Sequence, residues 1–138
     1  SCRPLSDQDA LGFMQMIEYY SDQWGDIVVD RHPLISEPIY GPILRGEDLL
    51  VSFTKREANA RLMNTVSRIV YCRPPVSSIQ ANLDKQPQLI GIEAKLLTLL
   101  EAYDRRMDEL QDIGIPIYWY DYGSCANDLE TVLFGSKL

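Results

Sequence analysis

Apolar residues recur at helical spacing near the start of the chain. Ala10, Phe13, Met14, Ile17, Tyr20 and Trp24 fall three or four apart and define one stripe. Ser6-Asp7-Gln8-Asp9 precedes it, with Ser6 as a candidate N-cap and Asp9 near the positive helix end. The pattern predicts a first helix over about 7–23, ended by Gly25. From residue 26 the pattern changes. Ile27-Val28-Val29 is short and β-branched, and Pro33, Pro38 and Pro42 oppose a long helix. Ile39–Leu44 and Leu49–Phe53 are apolar runs joined by Arg45-Gly46-Glu47-Asp48. That spacing predicts a β-hairpin, with Pro42 on an edge strand.

The clearest local signal is Thr54-Lys55-Arg56-Glu57, a capping box that opens a helix. Ala58, Leu62, Val66, Ile69 and Val70 extend it to a predicted second helix over about 55–72, stopped by Arg73-Pro74-Pro75. Leu89, Leu96, Leu100, Tyr103, Met107 and Leu110 mark a third, from about Gln88 to Ile113, with Gly114 as its C′ residue. A short helix within 78–86 is left open by the pattern. Ile115–Tyr122 is rich in β-branched and aromatic residues and reads as a strand. Asn127–Phe134 suits a short terminal helix. The expected class is α+β: about three helices packed on a small, mainly antiparallel sheet of 39–44, 49–53 and 115–121. A helical bundle with one β-hairpin is the alternative.

Composition narrows this only slightly. The 138 residues are 46% apolar and 24% charged, which excludes a collagen, a low-complexity linker and a disordered chain. With no repeat or long linker, the expectation is a single domain over 1–138. Three cysteines, Cys2, Cys72 and Cys125, lack paired spacing, and an odd count cannot pair fully within one chain. They read as reduced thiols of a cytoplasmic protein. No apolar run approaches the roughly 18–20 residues of a bilayer span, so no membrane association is expected.

Charge changes the picture more, because it is unevenly placed. The net charge of −7 is made of −5 over residues 1–44, +3 over 45–77 and −5 over 78–138. Arg61 and Arg68, seven apart on the predicted second helix, would share a basic face. Such a face either meets acidic helices inside the fold or binds an acidic partner. Nucleic acid is disfavoured, because overall repulsion opposes phosphate contacts. Glu101, Asp104, Asp108 and Asp112 form an acidic row on the predicted third helix, either a solvated face or a surface that meets a basic protein.

Few residues carry recognisable chemistry. His32 is the only histidine, and zinc-ligand spacing is missing, so neither a metal nor a cofactor is expected. Gly-rich phosphate loops and the common hydrolase motifs are missing as well. Glu18 and Asp22, four apart, could meet Glu101, Asp104 and Asp108 to hold Mg²⁺ for a helical nucleotide phosphohydrolase. Their spacing departs from the E-x-x-E arrangement of such enzymes. The aromatic run 117–122 is the densest feature. Alternation places Tyr118, Tyr120 and Tyr122 on one face, and Ile117, Trp119 and Asp121 on the other. Two aromatic faces on one strand suggest an interface, since Tyr and Trp bury much area at low entropy cost.

The reading that follows is a non-enzymatic acidic protein-binding module, an inhibitor, immunity-type or adaptor protein, docking on a basic protein partner. Its expected contact residues are Tyr118, Trp119, Tyr120 and Tyr122 with Glu101, Asp104 and Asp108. A structural subunit of a homo-oligomer and the Mg²⁺-dependent phosphohydrolase are the alternatives.

Overall fold

In the computed structural model, residues 7–22, 27–85 and 94–121 are described. Helix α1 spans Asp7–Ser21 and α2 spans Pro33–Tyr40. A π-helical segment, Gly41–Arg45, continues from α2. Then come α3 (Lys55–Thr65), β1 (Ile69–Cys72), α4 (Val76–Lys85), α5 (Leu96–Asp112) and β2 (Ile117–Tyr120). The mixed helix-and-strand class is as expected. The sheet is not: β1 and β2 pair in parallel, with Ile69 opposite Ile117 and Cys72 opposite Tyr120. Parallel strands need a crossover rather than a tight turn, and here α4 and α5 lie in it. The described residues therefore hold five α-helices and two strands, rather than three helices on an antiparallel sheet.

The expected hairpin over 39–53 is absent for local reasons. Pro33 occupies the first turn of α2, where its missing N–H costs nothing. His32 caps that turn, its Nδ1 accepting from the Leu34 N–H at 3.2 Å. Pro38 lies inside the helix, and Pro42 opens the wider π turn that follows it. Gly41 is required there, because a Cβ would stand 2.4 Å from the Glu47 carbonyl oxygen. Buried Glu37 receives Arg45 Nη2 across this junction. Residues 49–53 form turns instead of a strand: Asp48 Oδ1 accepts from the Leu50 N–H at 2.8 Å, and the Phe53 N–H reaches the Leu50 carbonyl at 2.9 Å.

The second helix is shorter than its apolar spacing suggests. It ends at Thr65, and Val66 is already extended. Ile69, Val70 and Tyr71 then go to β1, where β-branched and aromatic residues fit. The open question over 78–86 resolves as α4, beginning just after Pro75. The described part of the third predicted helix starts at Leu96, and residues 88–93 lie outside the described residues. So do Ser6, Trp24, Gly25 and the predicted helix Asn127–Phe134.

One hydrophobic cluster joins α1 (Ile17), α2 (Leu34, Ile35), α3 (Ala58, Leu62), β1 (Tyr71) and α5 (Met107, Leu110). Leu50 and Ile115 complete it from the connections. Phe13 and Met14 pack beside Ile17, as the predicted stripe on α1 requires. At the far end of α5, Gly114 takes φ +106°, its N–H meets the Gln111 carbonyl and the Ile115 N–H meets that of Leu110. This Schellman pair stops the helix and turns Ile115 back onto Leu110. It thereby aims the chain into β2. None of the helices among the described residues is long and apolar enough to cross a membrane.

Candidate functional site

The aromatic strand and the acidic helix row are brought together, through residues the sequence did not link. Trp119 in β2 stands opposite Tyr71 in β1. Their rings meet edge to face, with centroids 4.8 Å apart. The Tyr71 hydroxyl donates to Asp104 Oδ1 at 2.8 Å. Arg73 then grips the same carboxylate as a fork, Nε to Oδ1 at 3.1 Å and Nη2 to Oδ2 at 3.2 Å. Tyr71 also stacks on Tyr103, which meets Tyr40 edge-on. Four rings thus run from α2 across α5 and β1 to β2. Trp119 is the most exposed of them, at 43%.

This arrangement divides the predicted contact residues. Tyr120 is buried in the core, and Tyr118 is half-buried with its ring 6.3 Å from that of Tyr120. Trp119 projects on the opposite side, as strand alternation requires. Tyr122 lies outside the described residues. Within the acidic row, Asp104 is bound to Arg73 and Tyr71, so its charge is largely neutralised inside the fold. Burial, then the Asp104 carboxylate, raises the Tyr71 hydroxyl well above the ordinary tyrosine range. The hydrogen bond to Asp104 likewise raises Arg73. Glu101 and Asp108, one turn to either side, are exposed, as is Asp112. Leu97 continues the same helical face and is exposed too.

The predicted basic face on one helix is not formed. Arg61 belongs to α3, but that helix ends at Thr65, and Arg68 lies in the connection to β1. Arg61 turns inward to α1, donating to Glu18 Oε1 at 2.9 Å and to Ser21 Oγ at 3.2 Å. Its guanidinium also lies 6.0 Å from the centre of the Phe53 ring. Glu18 is therefore engaged with Arg61. No three His, Cys, Asp or Glu side chains converge as possible metal ligands among the described residues. The carboxylates of α1 and α5 considered for Mg²⁺ are thus not assembled into a site.

His32 and Cys72 fall outside this face. His32 is a helix cap packed on Tyr20, with ring centroids 5.4 Å apart. Burial pushes its pKa down to about 4. Cys72 is exposed and has no disulfide partner among the described residues, and its thiol is raised by partial burial and by the charge of Asp30. A raised thiol holds less thiolate at neutral pH and is a poor nucleophile.

The sequence reading missed the Arg73–Asp104–Tyr71 cluster, whose partners lie 31 and 33 positions apart. No local signal encodes that contact. Arg106, which by sequence serves with Arg105 to relieve the acidic row, is instead buried: on α5 it follows Leu99 and Tyr103 at spacings of four and three, so a charge sits in the apolar stripe. Comparison with protein-family models, with curated proteins and with solved structures finds no match.

Proposed function

We propose that the protein is a non-enzymatic, acidic protein-binding module of the inhibitor, immunity-type or adaptor class, docking on a basic protein partner. The observation that carries this reading is the position of Trp119. It is a large aromatic, exposed yet held edge-on by Tyr71, beside an acidic helix row. Tyr71 is itself fixed through Asp104 and Arg73, so the indole is ordered before binding. Pre-ordering lowers the entropy cost of an anchor residue. Glu101 and Asp108 supply the unneutralised charge that attracts a basic surface. A reducing, cytoplasmic setting belongs to the same reading and rests on the odd count of three cysteines without paired spacing.

The test takes a basic partner captured from native lysate and measures its kinetics at several salt concentrations. Reversing Glu101 and Asp108 to Lys should slow association and flatten its salt dependence. Trp119→Ala should raise the off-rate by at least ~30-fold, as a central anchor does. An unchanged on-rate in the double reversal, with Trp119→Ala affecting only thermal stability, sinks the proposal. A stable homo-oligomer by light scattering, lost in Trp119→Ala, would reassign this face to self-contact.

A further inference from the structure

Among the described residues β1 has one hydrogen-bonded neighbour, β2. The Ile69 N–H reaches the Pro116 carbonyl at 2.9 Å, and the Arg73 N–H reaches that of Tyr120 at 2.9 Å. Backbone groups alternate sides along a strand, so those of Val70 and Cys72 point away from β2. No hydrogen bond closes that outer edge among the described residues. Nor does it carry the usual protections of an open edge. Ile69–Cys72 holds no lysine, no proline and no other charge.

The sheet has core on both faces. On one, Tyr71 is buried against Tyr103 of α5. On the other, Tyr120 is buried. Parallel sheets covered in this way rarely stop at two short strands. A second β-branched piece of chain ends beside the open edge. Residues 27–29 belong to no strand, and Ile27 and Val28 are exposed, at 47% and 67%. Asp30, which follows them, stands close enough to Cys72 for its charge to act on the thiol. Yet no hydrogen bond joins residues 27–30 to β1 among the described residues.

We propose that the outer edge of β1 receives an extended apolar partner strand, which hydrogen-bonds to Val70 and Cys72 and packs against Ile27 and Val28. It lies on the far side of β1 from β2, so it does not depend on the Trp119 face. Outward N–H and C=O groups at a two-residue repeat match an extended backbone. Core on both faces keeps the added strand dry, which selects uncharged, β-branched side chains. The exception is the end beside Asp30, an exposed carboxylate that one basic residue complements. A second copy is disfavoured as the occupant, because each chain carries −7.

The probe is the peptide acetyl-Thr-Val-Ile-Val-Thr-Lys-amide, titrated into the whole protein and followed by amide hydrogen exchange. In the free protein the Val70 and Cys72 amides should exchange at least ~10-fold faster than those of Ile69 and Arg73. Bound peptide should slow Val70 and Cys72 at least ~10-fold and leave Ile117 and Trp119 unchanged. A peptide with Pro in place of its central Ile and Val lacks those donors and should not bind. Val28→Lys and Cys72→Lys each bring a charge to the gap from an exposed position and should weaken binding at least ~10-fold. If a variant misfolds by circular dichroism, the exchange pattern of the unaltered protein decides alone. Val70 and Cys72 amides that are already slow in the free protein overturn the proposal. So does peptide still unbound at ~1 mM, equal binding of the proline peptide, or protection of Ile117 and Trp119 instead. Protection that grows with protein concentration in the absence of peptide assigns the edge to a second copy and overturns it as well.

Discussion

His32 shows how a functionally suggestive residue can be explained by its local geometry. Its Nδ1 accepts the Leu34 N–H, which requires that nitrogen to be unprotonated. Its ring rests on Tyr20, and burial lowers its pKa from the ordinary 6.5 to about 4. The folded protein therefore favours the neutral imidazole. The resulting stability is fully present above about pH 6.5 and is lost as pH falls through about 4. Since the side chain keeps some exposure, the contribution should not exceed roughly 2 kcal/mol. His32→Asn preserves a capping acceptor and removes the titration. In urea unfolding at stepped pH, the variant should lose less stability than the parent between pH 6.5 and 4. Parallel curves over that interval would show that His32 does not contribute to acid sensitivity.

Among the elements, α3 is the one whose start is written most plainly in the chain. The Thr54 hydroxyl accepts from the Glu57 N–H at 3.0 Å, and Glu57 Oε1 receives the Thr54 N–H at 3.4 Å. Thr54→Ala removes the first of these and should cost about 0.5–2 kcal/mol in denaturant unfolding, with the m-value unchanged. A cost below a few tenths would mean water replaces the hydroxyl without loss. Signals of this kind were legible because they act across three or four residues, as at Thr54 and at Gly114. The apolar run Ile39–Leu44 was misread because a short run has no period of its own, and Pro33 and Gly41 decided it for helix. Ile69 and Val70 fit a helical stripe and a strand equally well, and only pairing with β2 settles the choice. At the candidate site, alternation correctly separated Trp119 from Tyr118 and Tyr120. The neutralisation of Asp104 by Arg73 was hidden, because that pair is made by tertiary folding alone.

Across the whole molecule, several carboxylates are paired internally with cations, which leaves the net charge of −7 unchanged. Arg61 takes Glu18, Arg73 takes Asp104, and Lys55 takes Glu109. What stays outward on α5 is Glu101, Asp108 and Asp112, so a formal charge count overstates the field a partner meets on that helix. The parallel pairing of β1 with β2 has a further consequence, in time rather than in space. A hairpin zips from its turn, but here the chain must first close a loop holding α4 and α5. Closing that loop before two four-residue strands can reward it should place the sheet late on the folding route. Val70→Ala, which trims β1 opposite Tyr118, should destabilise by roughly 1 kcal/mol. Nearly all of that should emerge as unfolding about fivefold faster, with the refolding arm of a stopped-flow chevron unmoved. If the refolding arm slows instead, the strands are already paired at the barrier, and the route begins at the sheet rather than at the helices.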